Sequence, residues 1–582
     1  MARDDVAFDL VVIADLAPGR PAAPRARRVD RDTLAPLLAE LAPEADLGGA
    51  RLAFRDFRDF RPEALAAQLP ATRGLLATRR RLREQPPPVA AELLAALDAV
   101  EARTPELEAM RAALGGGASA AAPAPSAPAP VAAPRPAPPP PAPEAGGDDL
   151  DAIFRMVDAG SAATGGPPSS AETTRSLDLL IAAFGVTRRT SGAIATAEVA
   201  RLARLLDEAL AGEVRAALHH PAFKAVEAAW LGLRLLVRRT DFRSGVRMHV
   251  VAADLAGLPA AMREAVAPLA ADAQSEGRAV CAVAALAAGP RDLGLLAAAA
   301  AEAEAARVPL VLDADATLFG ASTLRALPAG ERIADLLDAH AGEAWPVLRA
   351  RPESRWLALA VNRVLLRAPY GEHHERVRDF AFEEHPPGAE AVWAFGPAAW
   401  IVAARLADRA AETGWAVDVT GPPEAATGDL PVRPLELPTG EIVHVPLEAY
   451  LSEPRALECS EAGLVPLVCR RNHDAAWIPS APALMVALDR AEARRTTLAN
   501  ALWLAHVGAL LARLHAALDP SAARAARVAA LARGLEFLAF GAEGPLVEVA
   551  AEDPGEGPVT LSVRPVRPPL LGLPEATVQV PV

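Results

Sequence analysis

Apolar positions set the outline of this chain before any single residue suggests chemistry. Phe8-Asp-Leu-Val-Val-Ile-Ala14 has the β-branched density of a buried strand, and Arg51-Leu-Ala-Phe54 predicts a second. Asp59-Phe60 followed by Pro62 opens a helix with proline at its favoured first position. Leu65, Leu69, Leu75, Leu76 and Leu82 then recur at roughly helical intervals. A further helix is predicted over residues 89–114, with Leu93, Leu94, Leu97, Val100, Leu107 and Met110 on one face. Later in the chain, 195–219 and 221–237 read as strong helices, and 497–518 as a long apolar one. Strand patterns occur at 246–251, 307–312 and 356–361, and the last two segments, 559–566 and 576–582, alternate as strands do.

Between these patterned regions the alternation stops. Residues 115–147 collapse to Ala, Pro, Ser and Gly, including Pro138 to Pro141. Such a stretch cannot bury enough apolar surface to offset chain entropy, and its prolines favour extended polyproline II. At ~3 Å per residue it reaches on the order of 90 Å when extended. Beyond it, Leu150, Ile153, Phe154 and Val157 fall at i, i+3, i+4 and i+7, a helical stripe led by Asp148, Asp149 and Asp151. A helix this short is marginal alone, so it docks either on its own domain or on a partner.

The expected fold is therefore α+β (mixed α/β) in four stretches. These are a small N-terminal α+β unit at 1–114, a disordered Pro/Ala-rich linker at 115–147, a short amphipathic helix with a flexible segment at 148–176, and a larger multi-part α/β domain at 177–582 with a helical N-terminal region.

Composition narrows the function. The formal net charge of -14 argues against nucleic-acid binding, which needs a basic patch to displace counterions. The arginines at 79, 80, 81 and 83 read as a solvated helix face. Three cysteines, Cys281, Cys459 and Cys469, lack metal-ligand spacing, and an odd count suits a reducing compartment. With no signal-like apolar start and no uninterrupted apolar span of membrane length, a cytoplasmic protein without direct membrane insertion is expected.

Candidate chemistry is thin. Neither a Walker A run nor a G-x-G-x-x-G occurs. Gly371-Glu-His-His-Glu-Arg376 lacks the i, i+4 histidines of a metalloprotease helix and reads as an exposed polar loop. His219-His220 precede Pro221 at a helix terminus, where imidazole is expected to cap backbone carbonyls. Asn472-His-Asp474 near Cys469 comes with no oxyanion-hole signature. No catalytic, cofactor-binding or metal-ligating residue is assigned, and no enzyme is expected.

Two stretches resemble known proteins. Across residues 6–112, the strand ending at Asp15, Arg28-Val-Asp-Arg-Asp32, Leu52-x-Phe54, Asp59-Phe-Arg-Pro62 and Leu75-Leu76-x-x-Arg79 resemble the small sheath protein of type VI secretion, TssB or VipA. Across 177–582, the run from Leu218-His-His-Pro221 to Arg239-Thr-Asp241 is similar to a helical signature of the large sheath protein, TssC or VipB. Leu366-Arg-Ala-Pro-Tyr370, Phe395-Gly396, Thr420-Gly-Pro422, Asp429-Leu-Pro431 and Leu561-Ser-Val-Arg-Pro565 continue that likeness in order. The stretch 267–307 departs from it, being shortened and Ala-rich.

The resemblance implies a fused subunit of a contractile sheath that self-assembles into a helical polymer around an inner tube of Hcp protein and contracts to propel it. It also implies a ClpV-type AAA+ unfoldase gripping the stripe Leu150, Ile153, Phe154 and Val157, and contact with baseplate proteins. The C-terminal segment Thr577, Val578, Gln579 and Val580 is expected either as a strand shared between subunits or as a strand of its own sheet. The alternative function is a non-contracting sheath-like accessory or baseplate adaptor of the same system.

Overall fold

The computed structural model of the chain describes residues 8–20, 23–82, 108, 111, 196–328, 330–386, 388, 392–541 and 543–582. The linker at 115–147, the segment 148–176 with its apolar stripe, and nearly all of the helix expected over 89–114 lie outside these residues. The N-terminal run contains β1 (Phe8–Ala14), β2 (Arg27–Val29), α1 (Leu34–Leu41), the hairpin β3–β4 (Glu44–Asp46 and Arg51–Ala53), α2 (Pro62–Gln68) and α3 (Pro70–Arg81). After the gap come α4 (Thr196–His219), α5 (Pro221–Arg239), β5 (Val246–Ala252), α6 (Ala267–Ser275), β6 (Ala279–Ala288), α7 (Leu293–Ala306), β7 (Leu310–Ala314) and β8 (Leu357–Val361). The chain ends with α8 (Ala399–Thr413), β9 (Leu464–Pro466), α9 (Leu498–Ala516), α10 (Arg524–Leu538), β10 (Val547–Glu552), β11 (Val559–Pro565) and β12 (Ala576–Val580).

These elements form two compact units, one of residues 1–73 with 210–582 and one of residues 74–209. In the smaller unit Arg79 grips Asp207 with two nitrogens, at 2.6 and 3.0 Å, and both side chains are largely buried. The cluster read as a solvated arginine face thus contains one buried, paired member.

The larger unit is organised by a seven-stranded sheet in the order β9-β8-β7-β6-β1-β5-β2. All neighbours are parallel except β2, which runs antiparallel to β5. β1 sits inside this sheet, with Phe8 opposite Val246 on one side and Ala279 on the other. The Pro/Ala-rich boundary therefore divides the sequence and not the fold. Among the described residues of 1–114, β1 does not pair within that stretch: every residue of it is buried, and both of its ladders belong to strands beyond residue 245.

Alternation along β1 explains what each face holds. Val11 and Ile13 join a large core with Val251, Leu296, Leu312 and Leu359. Leu10 and Val12 point the opposite way and are fully buried. On the face where α5 and α8 pack together, Gly232 lies against the Trp400 indole, in space that any Cβ would occupy. α8 is held over the sheet by Asp313 at the end of β7. Its carboxylate accepts N–H bonds from Ala398 and, at 2.8 Å, Ala399. That caps the helix with a buried acid.

Two local outcomes differ from the hydrophobic pattern. β7 begins at Leu310 rather than 307, because Arg307 takes a left-handed conformation (φ 54°) and caps α7 through bonds to Ala303 and Glu304. β6, Ala-Val-Cys-Ala-Val-Ala-Ala-Leu-Ala-Ala, was not visible as a strand, since alanine carries little β preference. Its place between β1 and β7 decides its conformation.

Candidate assembly edge

The C-terminal sheet is smaller and one-sided. β10, β11 and β12 pair antiparallel in that order. Along β11, Val559, Leu561, Val563 and Pro565 are buried, while Thr560, Ser562 and Arg564 point outward. The inner residues pack on Trp503, Val507, Leu510 and Leu511 of α9 and Val528, Leu531 and Leu535 of α10. Arg524 ties the turn and the chain's last residue to this platform, donating to Asp553 at 2.8 Å, the Gly557 carbonyl at 2.8 Å and the Val582 carbonyl at 3.1 Å.

Ladder geometry identifies which backbone groups face away from the sheet. In an antiparallel pair, residues alternate between exchanging both hydrogen bonds and pointing both groups outward. Val549, opposite Val563, donates its N–H at 3.1 Å to the Glu536 carboxylate on α10, so it points away from β11. Val563, whose own backbone groups then face β12, exchanges bonds with Ala576, and Leu561 with Val578. It follows that Thr577 and Gln579 turn their N–H and C=O groups outward from β12. Among the described residues neither group finds a partner, and both side chains are exposed.

The two sheet edges thus differ. At β10 an acidic side chain from α10 occupies an outward N–H. At β12 the outward groups of Thr577 and Gln579 stand open. Of the four residues singled out from sequence, these two lie at the edge, while Val578 and Val580 pair inward with Leu561 and Val559. The pairing of β12 along one side is with its own chain. Glu536 was missed, because nothing in its sequence neighbourhood indicates that it reaches a strand 13 residues later.

The other candidates have structural roles. Gly371 to Arg376 is an exposed loop for most of its length; Arg61 pairs with Glu375, and Glu63 accepts the Arg378 N–H at 2.9 Å, so the loop leans on the N-terminal run. His220 caps the start of α5, its Nδ1 accepting from the Ala222 N–H at 3.2 Å. It satisfies an amide rather than the carbonyl expected. Asn472, at φ 59°, accepts the His444 N–H in a turn. Burial pushes the Cys459 and Cys469 thiols up to about 12, and Cys281 is raised as well. Among the described residues no group of three His, Cys, Asp or Glu is placed to hold a metal, and no helix is long and apolar enough to cross a membrane.

Charge is concentrated in one buried network. Arg367 donates to Glu227 at 2.7 Å and to both oxygens of Glu384 at 2.6 and 3.0 Å, and all three side chains are at most 9% exposed. Burial would raise the Glu384 carboxyl, but His219, Arg367 and the Tyr370 N–H hold it down at about 2. Removing one member would strand a buried charge.

Comparison with known proteins places part of this chain. Residues 200–272 and 278–485 match the family model described as VipB: EvpB/VC_A0108, tail sheath N-terminal domain. The type VI secretion system sheath protein TssC1 of Pseudomonas aeruginosa is 24% identical over 313 residues, covering 51% of this chain and 63% of the relative. The chain thus spans less than two thirds of that relative's length. The large-subunit resemblance is supported by both comparisons; the family match begins at residue 200 and ends before the sheet carrying the open edge.

Proposed function

We propose that this chain is a structural subunit of a type VI secretion sheath in which the roles of the small and large sheath proteins are joined. The observation that carries this reading is the match of residues 200–485 to a tail-sheath family, together with the sheath protein relative. The N-terminal run supports the fusion, since its first strand completes the sheet built by the matched region. The subunit acts without an active site, in the cytoplasm, by assembly.

Assembly proceeds by strand addition at β12. An extended segment of a neighbouring copy pairs with the outward groups of Thr577 and Gln579, where backbone bonds supply affinity and side chains tune it. Repetition along a helical path forms a tube around the Hcp inner tube and attaches it to baseplate proteins. Contraction is a collective switch between two packings of such subunits, with no nucleotide bound to each. The stripe Leu150, Ile153, Phe154 and Val157 is the handle for a ClpV-type unfoldase.

Electron microscopy of the full-length chain, alone and mixed with its inner-tube protein, tests the reading. Hollow tubes of regular helical pitch are expected. Discrete particles under every condition would overturn the sheath role and leave a non-contracting accessory or baseplate adaptor.

A further inference from the structure

The first two residues of β1 each lie against a buried histidine. Phe8 stacks on the ring of His506 from α9, with centroids 6.1 Å apart and planes 21° from parallel. The same ring lies 5.1 Å from that of Trp415, and the Ala416 carbonyl is its polar contact. None of these neighbours carries a charge. His506 is 2% exposed, and its Nε2 is buried without a hydrogen-bond partner.

One residue further on, Asp9 is gripped by Arg278 just before β6, whose Nε donates at 2.8 Å. The second Asp9 oxygen lies 3.7 Å from Nε2 of His249 on β5, another buried nitrogen without a hydrogen bond. Around His249 stand Asp9 on β1, Arg28 on β2, Arg247 on its own strand and Arg278. Arg247 is itself engaged by Glu276 at 3.0 Å.

We propose that the seat of β1 is an acid-opened catch: protonating His506 and His249 loosens the N-terminal strand from the centre of the sheet while the strands from β6 to β8 stay paired. A proton on His506 places a charge between two aromatic rings in a site without a counter-ion. A proton on His249 adds a buried cation beside Arg28 and Arg278, where the nearest carboxylate, Asp9, is already gripped by Arg278. Both changes act on Phe8 and Asp9, the point where β1 enters the sheet.

The direction follows from burial. It holds both imidazoles below their ordinary range, His506 down to about 3. A histidine with a folded pKa below its unfolded value supports the fold fully above about 6.5 and progressively less as pH falls. If opening β1 frees His506 alone, its opening equilibrium rises about 30-fold at pH 5.

Hydrogen exchange of the full-length chain, corrected for intrinsic rates, reads this directly. Between pH 7 and 5, protection over Phe8–Ala14 is expected to drop about 30-fold or more, with little change over β8. In His506→Phe the drop should shrink to the contribution of His249. Unchanged β1 protection at pH 5, or an equal loss across β1 and β8, overturns the proposal. The wild-type comparison between strands decides the matter even if the variant does not fold. The measurement requires no tube, so its failure leaves the sheath reading standing.

Discussion

In the seven-stranded sheet, β1 pairs on both sides and is covered on both faces; in the three-stranded C-terminal sheet, β12 pairs on one side and covers a core with one face only. Both are legible as strands in the sequence, β1 through its β-branched density and β12 through alternation. Their consequences differ because burial in the first case leaves no backbone group for another molecule. In the second, the outward groups of Thr577 and Gln579 remain a template for pairing. The closed ladder therefore offers nothing to another strand, while the open one is the edge proposed above for association.

The sharpest way to break this contrast is to place the same charge in each strand. Val12→Asp puts a carboxylate at a fully buried position flanked by two ladders. It is expected to cost more than about 4 kcal/mol, enough to remove the soluble, cooperatively folding protein. Val578→Asp, at a half-buried position, should leave a folded subunit with a cost nearer 1–2 kcal/mol. Urea unfolding of the two variants compares them; equal losses would mean that the C-terminal sheet is as closed as the central one.

How far this contrast was legible in the sequence varies by residue. The run Phe8 to Ala14 announced a buried strand through its Val-Val-Ile core, but its neighbours lie more than 230 residues away, and no local pattern encodes a long-range pairing. The boundary was misplaced for the same reason. β6 was hidden by its alanines. β11 and β12 were legible because one-sided burial writes an alternating pattern, and the sheath resemblance then pointed to Thr577 to Val580. Which of these four face outward depends on ladder phase, fixed here by one bond from Glu536.

The closed region also contains the buried ion network, and a neutral substitution there should cost nearly as much as one in the sheet. Glu384→Gln leaves Arg367 with one buried carboxylate instead of two, and a loss of about 3–5 kcal/mol is expected. Its pH dependence is specific. A carboxyl held at about 2 in the fold contributes stability that is complete above about 4.5 and is lost as pH falls toward 2. Acid titration of thermal stability should therefore show a steeper decline below pH 4.5 in the wild type than in Glu384→Gln. Parallel curves would assign the network's stability to other members.

At the open edge, proline separates pairing within the chain from pairing between chains. Gln579 donates nothing to β11, so Gln579→Pro removes no bond of its own sheet. Subunit stability should change by less than about 1 kcal/mol, while tube formation is expected to fall sharply because one of the two outward N–H groups of β12 is gone. Val578→Pro deletes an N–H that pairs with Leu561 and should destabilise the subunit by about 1–2 kcal/mol. Sedimentation and thermal melting of both variants give the two readouts. Tubes that persist in Gln579→Pro would move the association site away from β12.

The smallest expected effect lies at the opposite edge and tests why the sheet is open on one side only. Glu536 accepts the Val549 N–H at 3.1 Å and places a negative charge over the rim of β10. Charged side chains at an edge oppose pairing with another strand as well as satisfying the backbone. Glu536→Ala should cost about 1 kcal/mol in the subunit, the net worth of one such bond. It should also give β10 an unoccupied donor at Val549. A subunit with two receptive edges can add strands in two directions, so the variant is expected to form branched or laterally associated material where the wild type forms single assemblies. If Glu536→Ala loses the kilocalorie yet assembles as the wild type does, the acidic side chain caps the strand without guarding it, and the direction of growth is set by the β12 edge alone.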